Sequence, residues 1–130
     1  WCQGGGPPFI QTLAKAVGYA TAIFMFDAVN RVADGSIEAS ATPGTTAYSG
    51  VSLNHGAVST ATEHFVVISP DAVFEAQDNG GAGILAVDLG LPANLVLTAG
   101  NATPKQSKHQ IATSTAAASG PGMGLASMIM

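Results

Sequence analysis

Three histidines, eight carboxylates and four basic side chains are the residues of this chain with the chemistry to act on another molecule. His55, His64 and His109 stand far apart, and no HxH, HExxH or CxxC spacing joins them to a further ligand. A structural zinc site needs four nitrogen or sulfur ligands at recognisable intervals, so the pattern points away from a metal. It points instead to histidines in turns and at strand edges. Asp71 and Glu75 are four residues apart, with Glu63, Asp78 and Asp88 not far off. Such a pair suits acid–base work or a divalent cation. The plainer expectation is that Asp71 supports a Pro-Asp turn while Glu75 points outward from a half-buried strand. Gly80-Gly81-Ala82-Gly83 has glycines enough to cradle a phosphate. It lacks the GxGxxG spacing and a following Lys-Ser/Thr, and reads as a hairpin tip. No serine lies in GxSxG, and none is tied by spacing to a histidine and an aspartate. Asn101-Ala102-Thr103 matches a glycosylation acceptor, but Pro104 follows it. The expectation is therefore a protein with no catalytic, cofactor-binding or metal-binding residues, one that is not an enzyme.

Composition narrows the class further. Charged residues make up 9% of the 130, against roughly a quarter in ordinary soluble domains. A Ser/Thr/Ala/Gly surface with few charges costs little to desolvate, which favours burial against neighbours. The four cations, Lys15, Arg31, Lys105 and Lys108, are too few and scattered to track phosphates, so nucleic acid is not an expected partner. Cys2 is the single cysteine, which leaves no intrachain disulfide. Mean hydropathy is positive, yet the longest strongly apolar run, Ala20–Phe26, is far short of the ~20 residues of a spanning helix. No basic stretch of a signal peptide precedes the first apolar residues, and no membrane partner is expected. The start at Trp1 and the apolar stop at Met128-Ile129-Met130 suggest a processed or incomplete chain.

The elements that must position these side chains are short. Gly and Pro punctuate the sequence often, as suits strands joined by turns. Trp1–Pro8 reads as an arm, and residues 1–17 as an arm or first element ahead of a domain over 18–130. Phe9, Leu13 and Val17 recur at i, i+4 and i+8, which suits a short helix after Pro8, although Gly18 ends it after barely two turns. Tyr19–Val32 reads as a strand, Asp34-Gly35 as a hairpin turn, Ser36–Ala41 as the return, and Thr42-Pro43-Gly44 as a second turn. Tyr48–Leu53 is a further strand. His64–Ser69 is the strongest one, an unbroken run that suits burial on both faces. Val73–Gln77 is expected beside it as an antiparallel partner across Pro70-Asp71-Ala72, with Phe65, Val67 and Phe74 in the core. Ile84–Val87, Leu95–Thr98 and Ile111–Ala117 complete the set, and Leu89–Asn94 is a loop or single helical turn. Roughly seven or eight short strands with regular turn signals predict an all-β chain, a small β-barrel or sandwich, with less than about a fifth of it helical.

Two stretches resemble head-decoration or cement proteins of tailed bacteriophages. Gly18–Gly50 (GYATAIFMFDAVNRVADGSIEASATPGTTAYSG) runs on into Val51-Ser52-Leu53 as a strand, a DGSI hairpin and an Ala/Ser-rich return. Glu63–Gly81 (EHFVVISPDAVFEAQDNGG) resembles their valine-rich strand, Pro-Asp turn, VFEAQ-type strand and DNG tip. As an order of elements the resemblance covers roughly residues 18–120. It implies a compact β-barrel attached to a capsid shell, with no catalytic residues to transfer. The function it implies is a virion structural protein on the capsid surface, partnered by the major capsid protein or by copies of itself. In that setting Trp1–Pro8 and Asn101–Gln110 would lie across neighbouring subunits. The other class the sequence admits is a ligand- or carbohydrate-binding β-sandwich of a tail fibre or adhesin.

Overall fold

The computed structural model describes residues 9–40, 48–69, 72–80 and 85–115, with the backbone of Met123 and Gly124. Within them the chain is all-β, about 5% helical. Five strands close into a barrel: β1 (Ile10–Lys15), β2 (Ala28–Arg31), β3 (Ile37–Ala39), β4 (Gly50–Ser52) and β5 (Thr62–Val67), in the order β1-β3-β2-β4-β5. Four more, β6 (Gln77–Asp78), β7 (Pro92–Val96), β8 (Gln110–Ala112) and β9 (Met123–Gly124), make a second sheet ordered β6-β8-β7-β9. Two single 3-10 turns, Ala86–Asp88 and Thr113–Thr115, are the helical content.

The longest seam of the barrel joins β1 to β5 antiparallel, from Ile10 opposite Val67 to Lys15 opposite Thr62. Side chains alternate across it. Leu13, Lys15, His64 and Val66 turn inward, while Thr12, Ala14, Glu63 and Phe65 face out. Leu13, Ile23, Val29, Ile37 and Val66 form the core, with Tyr19, Ala39 and Ile68 packed against it. Burial of each large aliphatic stabilises the barrel by roughly 1.5–3 kcal/mol.

The Asp34-Gly35 turn behaves as its sequence requires. Val32 N–H donates to Ser36 O (2.9 Å), and Asp34 Oδ1 accepts from the Ser36 amide (2.9 Å) and hydroxyl (2.6 Å). Gly35 takes φ +86°, a left-handed value that a Cβ resists. β2 and β3 pair antiparallel through Val29–Ala39 and Arg31–Ile37.

Several expectations are corrected. Residues 10–15 form a strand rather than a helix, because the inward set is Leu13 and Lys15, and both Phe9 and Val17 are exposed. Tyr19–Val32 is not one strand. Phe26 adopts φ +73° in a turn where Asp27 N–H donates to Phe24 O (3.0 Å) and Phe24 N–H to Asp27 Oδ2 (2.8 Å). Regular pairing therefore starts only at Ala28. Val73–Gln77 does not pair with β5. Residues 72–76 have no ladder partners, and Gln77 and Asp78 pair parallel with Gln110 and Ile111 instead. Phe65 is exposed (52%) and Phe74 half-buried, whereas Val67 is buried as expected. Of the expected strand Ile84–Val87, Leu85 precedes the 3-10 turn and Ala86 and Val87 lie in it, and Pro92–Asn94 belongs to β7 rather than to a loop. Apart from these corrections, the Asn101–Gln110 loop is exposed over residues 101–106 and also bonds to its own chain. Met25 N–H donates to Lys105 O (3.1 Å) and Ser107 N–H to Met25 O (2.8 Å). The Trp1–Pro8 arm, the Thr42-Pro43-Gly44 and Pro70-Asp71 turns, Gly81–Gly83 and Leu125–Met130 lie outside the described residues.

Candidate functional site

The barrel wall brings together a serine and a histidine that no sequence spacing links. β4 and β5 run antiparallel with Ser52 opposite Val66, and the inward turn of His64 puts its Nδ1 2.7 Å from Ser52 Oγ. Both residues have no exposed surface. The direction of this bond follows from the rest of the network. Ser52 has one hydroxyl proton, which it donates to Asn54 O (2.9 Å). The serine oxygen therefore accepts from His64 Nδ1–H, and Nε2 carries the lone pair. That is the reverse of nucleophile activation, in which the imidazole takes the serine proton. Asn54 completes the frame by donating to Glu63 O (2.8 Å) and accepting from Phe65 N–H (2.9 Å).

Lys15 lies on the neighbouring strand and is 1% exposed. Its ammonium stands 5.7 Å over the Tyr19 ring, a cation–π arrangement, and Nζ has no hydrogen-bond partner. Burial holds the Lys15 amine below its ordinary range. Burial, and then the Lys15 charge, hold His64 below its own. Tyr19 is pushed up, chiefly by burial, and its hydroxyl donates to Ala39 O (3.4 Å). Gly56 closes the space beside them. A Cβ there would fall on His64 Nε2, and would lie 2.9 Å from Cε1 and 3.3 Å from Lys15 Cε.

A second titratable pair sits where the barrel meets the second sheet. Asp27 Oδ1 is 3.4 Å from His109 Nε2, with the two side chains 5% and 9% exposed. His109 Nδ1 accepts from Ala28 N–H (3.4 Å), which places the ring proton on Nε2, toward the carboxylate. Burial lowers the His109 pKa and the Asp27 charge opposes the shift. The pair thus sits between two elements, with Nδ1 held by Ala28 N–H and Nε2 within ion-pair distance of the Asp27 carboxylate.

The remaining candidates are dispersed. His55 is half-buried, its ring 5.1 Å from that of Phe24 and tilted by 37°. Histidines were expected in turns and at edges; His64 overturns that, being central in the barrel wall. Glu63 and Glu75 are exposed. Asp78 Oδ1 accepts from the Thr113 hydroxyl (2.7 Å), and Asp88 Oδ2 from Leu85 N–H (3.0 Å). Asp71 lies outside the described residues. Among those described, no three His, Cys, Asp or Glu side chains gather as metal ligands do. Asn101 is exposed and its Oδ1 accepts from Thr103 N–H (3.1 Å), a local turn.

Two concavities mark the barrel surface. One, of about 130 Å³, is lined by Gln11, Leu13, Arg31, Ser49 and Ile68, with Arg31 Nη2 donating to Gln11 Oε1 (3.3 Å). The larger, of about 270 Å³, runs along β4 and the end of β5 and has Tyr48 and Phe74 in its lining. Large apolar side chains also stand in the open: Phe9, Ile10, Val17 and Phe65 on or beside the β1–β5 seam, and Leu85, Val87 and Leu89 around the first 3-10 turn. Compared with known proteins, the chain matches no family model, no curated protein and no solved structure.

Proposed function

We propose that this chain is a structural protein of a phage virion, decorating or cementing the capsid by adhesion to the major capsid protein and to copies of itself. The adhesive part is carried by one observation. The outer face of β1–β5 shows Ile10, Thr12, Ala14 and Phe65 with a single charge, Glu63, and Phe9 (64% exposed) and Val17 (77%) lie beside it. A face so poor in charge and so rich in large apolar groups gains free energy when a neighbour covers it. On a symmetric shell, weak contacts of this kind sum over many copies.

The capsid setting rests on the resemblance of Gly18–Gly50 and Glu63–Gly81 to decoration proteins. The DGSI hairpin of that pattern corresponds to β2–β3 and its valine-rich strand to β5, while the VFEAQ stretch lacks strand pairing up to Gln77. Enclosure of Ser52 and His64 in the barrel wall, and of Asp27 with His109, supports a role without catalysis. The experiment is an electron-microscopy map of particles carrying the chain. Copies at regular positions on the shell, with Phe65 against a neighbour, are expected; copies absent from the shell or at no regular position overturn the proposal.

The groove holding Tyr48 and Phe74 favours the second reading, a carbohydrate- or ligand-binding module of a fibre or adhesin. Glycan binding abolished by Tyr48→Ala and Phe74→Ala would establish that reading in place of the first.

A further inference from the structure

We propose that the Lys15–His64 pair is an acid-sensitive latch of the barrel: proton uptake at His64, on the strand paired with the buried Lys15 ammonium, opens the β1–β5 wall. The latch stands on the geometry of the barrel wall and does not depend on the capsid setting. Lys15 and His64 come from paired strands, both turn inward, and both are buried. Lys15 Nζ and His64 Nε2 are the two polar atoms of the pair, and neither has a hydrogen-bond partner. A proton added at His64 Nε2 lands where that nitrogen has no hydrogen-bond partner and where the Lys15 charge opposes it.

Of the groups facing the pair from each packed element, a backbone hydrogen bond with Asn54 favours a second positive charge, and burial and the Lys15 charge outweigh it. From β4 comes Ser52, whose proton is committed to Asn54 O. From the loop after β4 come His55 and the bare Cα of Gly56, and His55 adds to the charges that disfavour protonation of His64. From the segment after β1 comes Tyr19, a ring face and a neutral hydroxyl. β3 supplies Ile37 opposite Lys15, with half-buried Glu38 next to it in sequence. Glu38 and Asp27 act on Tyr19, and Asp27 is engaged by His109. Among the described residues Lys15 has no carboxylate partner. Glu63, next to His64 in sequence, points to the outer face.

The direction follows from linkage. Both groups are less basic folded than unfolded, so the unfolded chain binds more protons and stability rises with pH. The Lys15 contribution grows as pH rises toward its ordinary 10.5. The His64 contribution is full above its ordinary 6.5 and is lost as pH falls below it. One extra proton bound by the unfolded state lowers the folded-to-unfolded ratio by up to about tenfold per pH unit. The seam that breaks is β1–β5, since Leu13 and Lys15 on one strand and His64 and Val66 on the other form its inner face.

The test is histidine NMR combined with urea unfolding of the whole chain between about pH 5.5 and 7.5. His64 ring resonances are expected to stay in the neutral form as long as the native peaks last, while the unfolding midpoint falls with pH. Lys15→Met, similar in length and uncharged, is expected to flatten that fall and to remove the stability gained from neutral to alkaline pH. A native-state titration of His64 at or above about pH 6.5 with the barrel intact would overturn the proposal, as would a midpoint independent of pH. Should Lys15→Met fail to fold, the wild-type resonances decide alone.

Discussion

Asp27 and His109, 82 positions apart in the chain, meet at 3.4 Å with both side chains nine-tenths or more buried. Around this contact Asp27 also fixes the Phe24–Asp27 turn, and His109 also receives Ala28 N–H. One carboxylate thus ties the irregular entry of the barrel to the segment leading into β8. Replacing Asp27 with Ala leaves the Phe24 N–H without its acceptor and removes the carboxylate beside His109. The expected cost is about 1–3 kcal/mol for the donor orphaned, read by urea denaturation. A loss under about 0.5 kcal/mol would mean that the pair holds nothing.

The same contact has a pH signature. His109 is less basic folded than unfolded, burial outweighing the nearby Asp27 charge. Its contribution to stability is full above its ordinary value of 6.5 and declines as pH falls through it. His109→Gln is expected to be less stable at pH 7.5 and to show a shallower loss between about pH 7 and 5.5. A profile as steep as that of the wild type would remove His109 from the acid response.

Two glycines should respond to alanine for different reasons. At Gly56 the new methyl falls on the buried His64 ring, so Gly56→Ala overpacks the barrel and should cost about 1–3 kcal/mol. At Gly35 nothing lies within 4 Å, and the penalty comes from φ +86° alone, about 1–2 kcal/mol. Nuclear Overhauser contacts of His64 should shift in the first variant and not in the second. Unchanged His64 contacts in a stable Gly56→Ala protein would show that the ring does not fill that space.

Core and surface positions separate just as cleanly. Ile37 is fully buried, and Ile37→Ala should cost about 2–5 kcal/mol. Phe65→Ala should stay within about 0.5 kcal/mol, because the ring faces out. Phe74, half-buried at the groove, belongs between them and below the ~3–5 kcal/mol of a core phenylalanine. A Phe65 variant as damaged as the Ile37 variant would contradict the outward assignment.

How far the sequence discloses this architecture depends on which residues are buried. The β2–β3 hairpin is legible because Asp34-Gly35 supplies both the side-chain acceptor and the left-handed backbone. The all-β class follows from the spacing of such turns. What stays hidden are the two inward polar residues. On β1 the inner set is Leu13 and Lys15, and a lysine taken as exposed erases the strand alternation and leaves a helical spacing of Phe9, Leu13 and Val17. On β5 the inner residue is His64 and the outer one Phe65, the opposite of what their polarity suggests. The Ser52–His64 and Asp27–His109 contacts depend on strand pairing and chain return, which no local spacing encodes. VFEAQ has the composition of a strand, but among the described residues its ladder partner is β8, more than thirty residues later, through Gln77.

The central claim is adhesion through the outer face of β1–β5, and sedimentation velocity of the purified chain at micromolar concentration tests it most directly. Concentration-dependent association of the wild type is expected, with marked weakening by Phe65→Ser while the fold is retained by circular dichroism. A folded, monodisperse monomer across that range, unchanged by Phe65→Ser, would contradict it.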